Sequence, residues 1–230
     1  MSDEICILVS CGGGSMKGKC YICGKTFSKA GMMRHLKTHM KNDGNVKLYH
    51  IMIEGLQLPQ YWLHIEIPAD AKLEDLDQFL RDIWLECCGH LSAFEIDGVS
   101  YYCEYFELEP DEEDMDLPLN SVLSPGMEFY HVYDFGSSTR LKLKVVGERM
   151  GRRGKEKVRI LARNDPPEIK CSCGKKAKWV CPICLVENMG ENCYFCDECA
   201  KEHEHGEDVL LPIVNSPRCG VCAYKGGKYD

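Results

Sequence analysis

The feature that most restricts what this chain can become is the spacing of its cysteines. Sixteen occur in 230 residues, and most fall in two places: Cys20 and Cys23 near the start, then a dense series from Cys171 to Cys222. Thiols paired at one or two intervening residues, in a chain without an export-signal pattern, are expected to hold metal rather than form disulfides. Short segments of that kind need little core, because a structural ion supplies on the order of 10 kcal/mol of folding free energy. The middle of the chain holds only Cys87, Cys88 and Cys103, which read as small buried hydrophobes.

The formal net charge of -8 excludes a chain wrapped wholly in nucleic acid, but the charge is uneven. From Lys17 to Lys47 the only acidic residue is Asp43, the stretch Glu104 to Asp116 is strongly acidic, and Arg149 to Arg163 is basic again. The acidic part from Glu107 to Asp116 is expected to be a solvated loop. No apolar run reaches the roughly 18 residues that span a bilayer, and Ile5 to Val9 lacks the basic flank of a signal peptide. A cytoplasmic protein with no membrane partner is therefore expected.

Four segments follow from the pattern. Residues 1–16 are expected to be flexible, with Gly12 to Ser15 as a joint. A finger occupies 17–43, a turn-rich hinge at Asn42 to Asn45 follows, an α+β domain fills 46–163, and a cysteine-rich module takes 164–230. Within the domain, Val46 to Ile53, Tyr61 to Ile67, Phe94 to Ile96, Tyr101 to Phe106, Phe129 to Asp134 and Leu141 to Val146 read as strands. One main helix is predicted, capped by Asp70, whose apolar face Leu73, Leu76, Phe79, Leu80, Ile83, Trp84 and Cys87 packs on a largely antiparallel sheet. Gly151 to Lys155 reads as a basic hairpin turn into Val158 to Leu161. His64, His90 and His131 read as structural histidines.

Cys20-x2-Cys23-x11-His35-x3-His39 offers two thiolates from a turn and two imidazoles from a helix face, a donor set for tetrahedral zinc. Together with Phe27 and Met32 at the apolar spacings, it resembles the C2H2 finger family, with eleven residues between the inner ligands where the family usually has twelve. Counting back from His35 puts Ser28, Gly31 and Arg34 at the base-reading positions, and of these only Arg34 is a strong reader. Lys29 and Lys37, with Arg34, are the expected nucleic-acid contacts, giving salt-sensitive binding of low specificity. A solvated basic face or a protein-docking finger is an equal alternative.

The strand from Tyr61 to Pro68, the helix with Leu73, Leu76, Phe79 and Trp84, the segment His90 to Ile96, and Tyr133-Asp134-Phe135-Gly136 together resemble the plasmid pRiA4b ORF-3-like family over roughly 46–163. That resemblance implies an α+β domain of bacterial and archaeal proteins, some associated with mobile elements, with no assigned activity. Many members follow this last block with an acidic residue, a Trp and a His, whereas this chain continues Ser137, Ser138, Thr139. No glycine-rich phosphate loop accompanies the Asp-Phe-Gly string, so a kinase is excluded.

In the tail, the simplest eight-ligand set for two tetrahedral sites is Cys171, Cys173, Cys181, Cys184, Cys196, Cys199, His203 and His205. It is similar to the interleaved B-box type, which implies that the first and third pairs share one ion and the second and fourth the other. Cys193, Cys219 and Cys222 are left over. Three zinc ions are expected in all. The predicted function is a zinc-binding, non-enzymatic protein, nucleic-acid-associated or regulatory, contacting DNA or RNA and docking a protein partner. The alternatives are a protein-interaction adaptor with purely structural zincs, or a thiol redox switch. No acid, base or nucleophile set converges, so no catalytic residue is assigned.

Overall fold

A computed structural model describes residues 17–103 and 113–229. The expected flexible segment 1–16, with Gly12 to Ser15, and most of the acidic stretch, 104–112, lie outside the described residues. The chain divides into two units, one of Ser15–Arg81 with His90–Asp165, the other including Asp82–Gly89 and Pro166–Asp230.

The first unit is α+β. In chain order it contains β1 (Lys17–Cys20), β2 (Thr26–Ser28), α1 (Lys29–Leu36), β3 (Val46–Gly55), β4 (Trp62–Pro68), α2 (Leu73–Leu80), β5 (Ser92–Ile96), β6 (Val99–Tyr102), β7 (Glu113–Asp114), α3 (Leu119–Val122), β8 (Glu128–Tyr133), β9 (Thr139–Gly151) and β10 (Arg159–Asn164). The strands form one sheet in the order β2-β1-β10-β4-β3-β9-β8-β5-β6-β7. All pairings are antiparallel except β6 with β7. β4 is buried along its whole length, as its run of Trp62, Leu63, Ile65 and Ile67 requires of an interior strand. The longest ladder joins β3 to β9, from Val46 opposite Gly151 to Gly55 opposite Leu141.

The finger segment belongs to this sheet. β1 pairs with β10 in the register Gly18↔Asn164 to Cys20↔Ala162. Gly18 is there because a Cβ at that position would lie 2.3 Å from the Arg163 carbonyl oxygen and 2.6 Å from the Trp62 ring. Met32 and Leu36 on α1, with Cys20, share a core with Trp62, Leu161 and Ala162. The hinge after α1 is fastened: the Arg149 guanidinium donates to the Lys41 carbonyl at 2.9 Å and to Asp43 at 2.8 Å, and the Met150 N–H to Asn42 at 2.9 Å.

Three sequence expectations need correction. Lys72, not Asp70, sits at the N-cap of α2, where the Asp75 carboxylate accepts from the Lys72 N–H at 3.1 Å. The regular helix ends at Leu80 and continues as a π-helical turn, Arg81–Leu85, so α2 is eight residues long, as is α1. The three- and four-residue periodicity ran on to Cys87 because Ile83, Trp84 and Leu85 are buried, although Trp84 belongs to the second unit. Finally, β9 and β10 make no hairpin: β9 pairs with β3, and β10 with β4 and β1. The intervening basic residues are held individually, Arg153 by Asp70 and Lys157 by Asp75, both at 2.5 Å.

Two buried carboxylates, Glu66 and Asp77, are paired with cationic or imidazole partners. The Glu66 carboxylate, 4% exposed, binds the Arg149 guanidinium through both oxygens. His131 is buried with its Nε2 2.7 Å from Asp77, whose other oxygen takes the Arg81 guanidinium at 2.7 Å. Burial alone would raise the Asp77 carboxyl, but His131 and Arg81 outweigh it and hold it below its usual range. Asp134, at φ 66°, turns the chain between β8 and β9 by accepting from the Gly136 and Ser137 N–H groups at 3.0 and 3.1 Å.

The second unit contains the segment Asp82–Gly89, then β11 (Trp179–Val180), α4 (Pro182–Glu187), β12 (Tyr194–Phe195), α5 (Asp197–Lys201), a 3-10 turn (Glu207–Val209) and β13 (Leu211–Pro212). Its sheet runs β12-β11-β13. The cores are small, one around Val180, Leu185, Leu210 and Leu211, another around Ile169 and Ala177, and cysteines sit in both. Trp84 is tied in by its Nε1–H, which donates to the Asn215 carbonyl at 2.9 Å, and by the Ser216 hydroxyl, which donates to the Trp84 carbonyl at 2.7 Å.

His50 and His64 face each other at 3.0 Å inside the first unit. Burial lowers His50 to about 4, partly opposed by Glu66, and lowers His64 to about 3, reinforced by His50 and Lys29. Unfolded histidines take up protons near pH 6.5, so the unfolded chain binds more protons below that pH, and stability present above it is lost as pH falls toward 4. Denaturant unfolding of the metal-loaded protein between pH 7.5 and 5 should therefore be steeper in pH for wild type than for His50→Gln/His64→Gln, by up to about 1.4 kcal/mol per pH unit per histidine. Parallel profiles would contradict this reading.

Candidate metal centres

The first centre is assembled by the finger hairpin and helix. Cys20 ends β1, and its N–H donates to the Lys25 carbonyl at 2.8 Å, while the Gly24 N–H donates to the Cys20 carbonyl at 2.8 Å. This tight knuckle turns both thiols inward and needs a left-handed residue after Cys23, which Gly24 supplies at φ 74°. His35 projects from α1. His39 lies beyond the regular helix, because the chain tightens after His35: the Thr38 and His39 N–H groups donate to the His35 and Leu36 carbonyls, both at 2.9 Å. Phe27 stacks on the His35 ring with centroids 4.2 Å apart, fixing the imidazole. Burial, with His39 and Lys25 nearby, lowers His35 below its ordinary value and favours the neutral, ligating form.

The donor atoms of Cys20, Cys23, His35 and His39 lie within 4.8 Å of one another. Cys23 Sγ is 3.2 Å from His35 Nε2, and His39 Nε2 is 3.1 Å from that same atom. Metal–ligand lengths of ~2.3 Å to sulfur and ~2.0 Å to nitrogen give tetrahedral edges of ~3.8 Å between sulfurs, ~3.5 Å between sulfur and nitrogen and ~3.3 Å between nitrogens. The observed separations fit such a set.

The tail pairs are interleaved. Cys171, Cys173, Cys196 and Cys199 form one group and Cys181, Cys184, His203 and His205 another, each with its donor atoms within 4.8 Å. In the first, Cys173 and Cys196 sulfurs are 3.7 Å apart. The Cys171 knuckle repeats that of Cys20: its N–H donates to the Lys175 carbonyl at 2.9 Å, and the Gly174 N–H to the Cys171 carbonyl at 2.8 Å. Cys196 caps α5, which carries Cys199. Burial alone would raise the Cys171 thiol, but N–H groups at Cys173 and Cys196 outweigh it and bring it to about 6, and N–H groups at Cys199 and Glu198 lower Cys196. Cys199 is instead pushed up to about 12 by Cys171, Cys173 and Cys196. Thiols so close resist ionising together, and a bound dication removes that penalty.

In the second tail group, Cys181 caps α4 and its sulfur accepts from the Cys184 N–H at 3.5 Å. Cys184 Sγ is 3.6 Å from His203 Nε2 and 3.4 Å from His205 Nδ1, which is also 3.4 Å from Cys181 Sγ. These are sulfur–nitrogen edges of one tetrahedron. His203 packs on Phe195, centroids 4.2 Å apart, and the far nitrogen of His205 faces Glu187 at 3.7 Å, the kind of partner that fixes a ligand's tautomer.

The leftover cysteines have distinct fates. Cys193 is packed in the Val180–Leu185 core and its thiol donates to the Gly190 carbonyl at 3.0 Å; burial pushes it up to about 11. Cys219 packs beside the same core. Cys103 accepts from the Ser92 N–H at 3.5 Å. Cys87 and Cys88 are not the buried hydrophobes expected from sequence: Cys87 is half-buried and Cys88 exposed. Their sulfurs are 3.6 Å apart, and Cys88 is 3.6 Å from Cys222. Sequence reasoning missed this group because Cys222 lies far along the chain from the adjacent pair.

The expected nucleic-acid residues fare differently. Arg34 and Lys37 are exposed. Lys29 is half-buried, paired with Glu54 and donating to the Pro59 carbonyl at 3.1 Å. Of the other reading positions, Ser28 caps α1 by accepting from the Gly31 N–H at 3.3 Å.

No family model matches the chain, and no curated protein matches it. Among solved structures it is similar to a protein of unknown function, MM3350, from Methanosarcina mazei Go1, at 21% identity and a TM-score of 0.49, covering 72% of this chain and 87% of that one.

Replacing Cys199 with Ser should remove the four-sulfur cobalt(II) spectrum of the metal-substituted protein and leave the two-sulfur, two-nitrogen spectra of the other groups. Cys184→Ser should do the converse for its own group. Loss of both signals from either single variant would contradict independent interleaved centres.

Proposed function

We propose that the protein is a zinc-dependent, non-enzymatic binding protein, with zinc at the finger group and at both interleaved tail groups. The observation that carries this reading is the donor chemistry: thiolates with neutral imidazoles, or thiolates alone, at tetrahedral spacing select zinc over hard cations. Zinc is structural in this proposal, since each group supplies four protein donors and leaves no position open for a substrate. The ordered blocks from Tyr61 to Gly136 support a pRiA4b ORF-3-like assignment for the sheet domain.

The proposed binding activity is weak, low-specificity contact with DNA or RNA through the outer face of α1. Arg34 and Lys37 are exposed there, and among the described residues no carboxylate pairs with them. Within the Arg149 to Arg163 segment, Arg149 is held by the buried Glu66, whereas Arg153 and Lys157 pair with Asp70 and Asp75 at the surface. A second reading, a protein-interaction adaptor, is favoured by Ile183, Val186 and Met189, exposed apolar residues on and just after α4. No described helix is long and apolar enough to cross a membrane.

Binding of the zinc-loaded protein to duplex and single-stranded oligonucleotides across a salt series tests the first reading. Arg34→Ala/Lys37→Ala should weaken binding and reduce the slope of log K against log salt by about 2. Arg149→Ala should instead destabilise the sheet unit by about 3–5 kcal/mol, by leaving Glu66 buried without its partner. Salt-independent or absent binding by the wild type would overturn the nucleic-acid reading and leave the adaptor.

A further inference from the structure

A third cluster of thiols lies in the second unit, outside the finger and the interleaved tail groups. The sulfurs of Cys87, Cys88 and Cys222 all lie within 4.8 Å of one another. The separations from Cys87 to Cys88 and from Cys88 to Cys222 are 3.6 Å each. That is far beyond the ~2.05 Å of a disulfide and close to the ~3.8 Å edge between two sulfurs on one tetrahedral zinc. Neutral thiols tolerate that distance, but thiolates there repel one another, and a cation shared by the three sulfurs removes that repulsion.

The surroundings are arranged for negative sulfur. Arg218 is fully buried, and its Nη2 lies 3.4 Å from Cys87 Sγ, a cationic donor aimed at a thiol. The Arg218 backbone is fixed in turn, its N–H donating to the Ser216 hydroxyl at 2.9 Å, while Ser216 itself is bonded to Trp84. Cys222 holds φ 54°, a left-handed conformation that a non-glycine residue adopts at a cost, so the turn that brings its sulfur to Cys88 is maintained against local preference.

We infer that Cys87, Cys88 and Cys222 hold a fourth zinc-class divalent cation through their three sulfurs. The ion's role is to staple the segment Asp82–Gly89 to the terminal turn from Ser216 to Tyr224. No covalent or redox step is involved: each ligating thiol releases its proton to solvent as the cation binds.

This inference goes beyond the three zinc groups, and its failure is distinguishable from theirs. Metal content of the full-length protein, purified without chelator and measured by elemental analysis, should be four zinc per chain. Cys222→Ser should hold three, with the cobalt(II) spectra of the finger and interleaved groups unchanged, and Cys88→Ser should do the same. Cys103→Ser, a thiol outside every group, should keep four. Cadmium-113 resonance of the loaded wild type should show one signal in the three-sulfur range that is lost in either variant. Three zinc in wild type with no change on Cys222→Ser would overturn the inference, as would mass-spectrometric detection of a Cys88–Cys222 disulfide in the native protein.

Discussion

Bringing four sulfur or nitrogen donors within 4.8 Å of one another is an electrostatic constraint before it is a site. Thiols at that range compete for one proton balance: Cys171 is drawn down to about 6 while Cys184, chiefly through burial, and Cys199, through its sulfur neighbours, go up to about 12. A bound metal ion would satisfy all four donors together, and the short elements around them are of the kind such an ion stabilises. The knuckles at Cys20 and Cys171, and the one-turn helices α4 and α5, are pieces too small to persist on propensity alone.

The two units answer this constraint differently. In the first, the finger leans on a substantial sheet: β1 extends it through β10, and Met32 and Leu36 are buried against Trp62, Leu161 and Ala162. A metal ion there would add to a core that already exists. In the second, Val180, Leu185, Leu210 and Leu211 make a core of modest size, with cysteines filling part of it. That region carries the larger dependence on metal.

Much of the sheet was legible because its strands are long and apolar or alternating: the expected Val46 to Ile53 and Tyr61 to Ile67 are contained in β3 and, but for Tyr61, in β4. Pairing was less legible. Gly151 to Lys155 has the composition of a turn, yet nothing local shows that β9 and β10 flank other strands rather than each other. Trp84 kept the helical period but is claimed by Asn215 and Ser216, and a three- or four-residue spacing cannot show where the regular helix gives way to a π turn. Charge was misleading for a related reason. Lys29 and Arg149 look like free cations in sequence, and their partners Glu54 and Glu66 are revealed only by strand register. For the metal groups, ligands close in sequence were readable, whereas the proximity of Cys88 to Cys222 depends on the folded chain.

The central claim is that metal, more than core, holds the second unit together. Hydrogen exchange of the zinc-loaded and chelated proteins, read peptide by peptide, tests it directly. The account predicts that chelation abolishes amide protection from Cys171 to His205 and weakens it in β1 and α1, while β3, β4 and β9 stay protected. Protection of Cys171 to His205 that survives complete removal of zinc would contradict it.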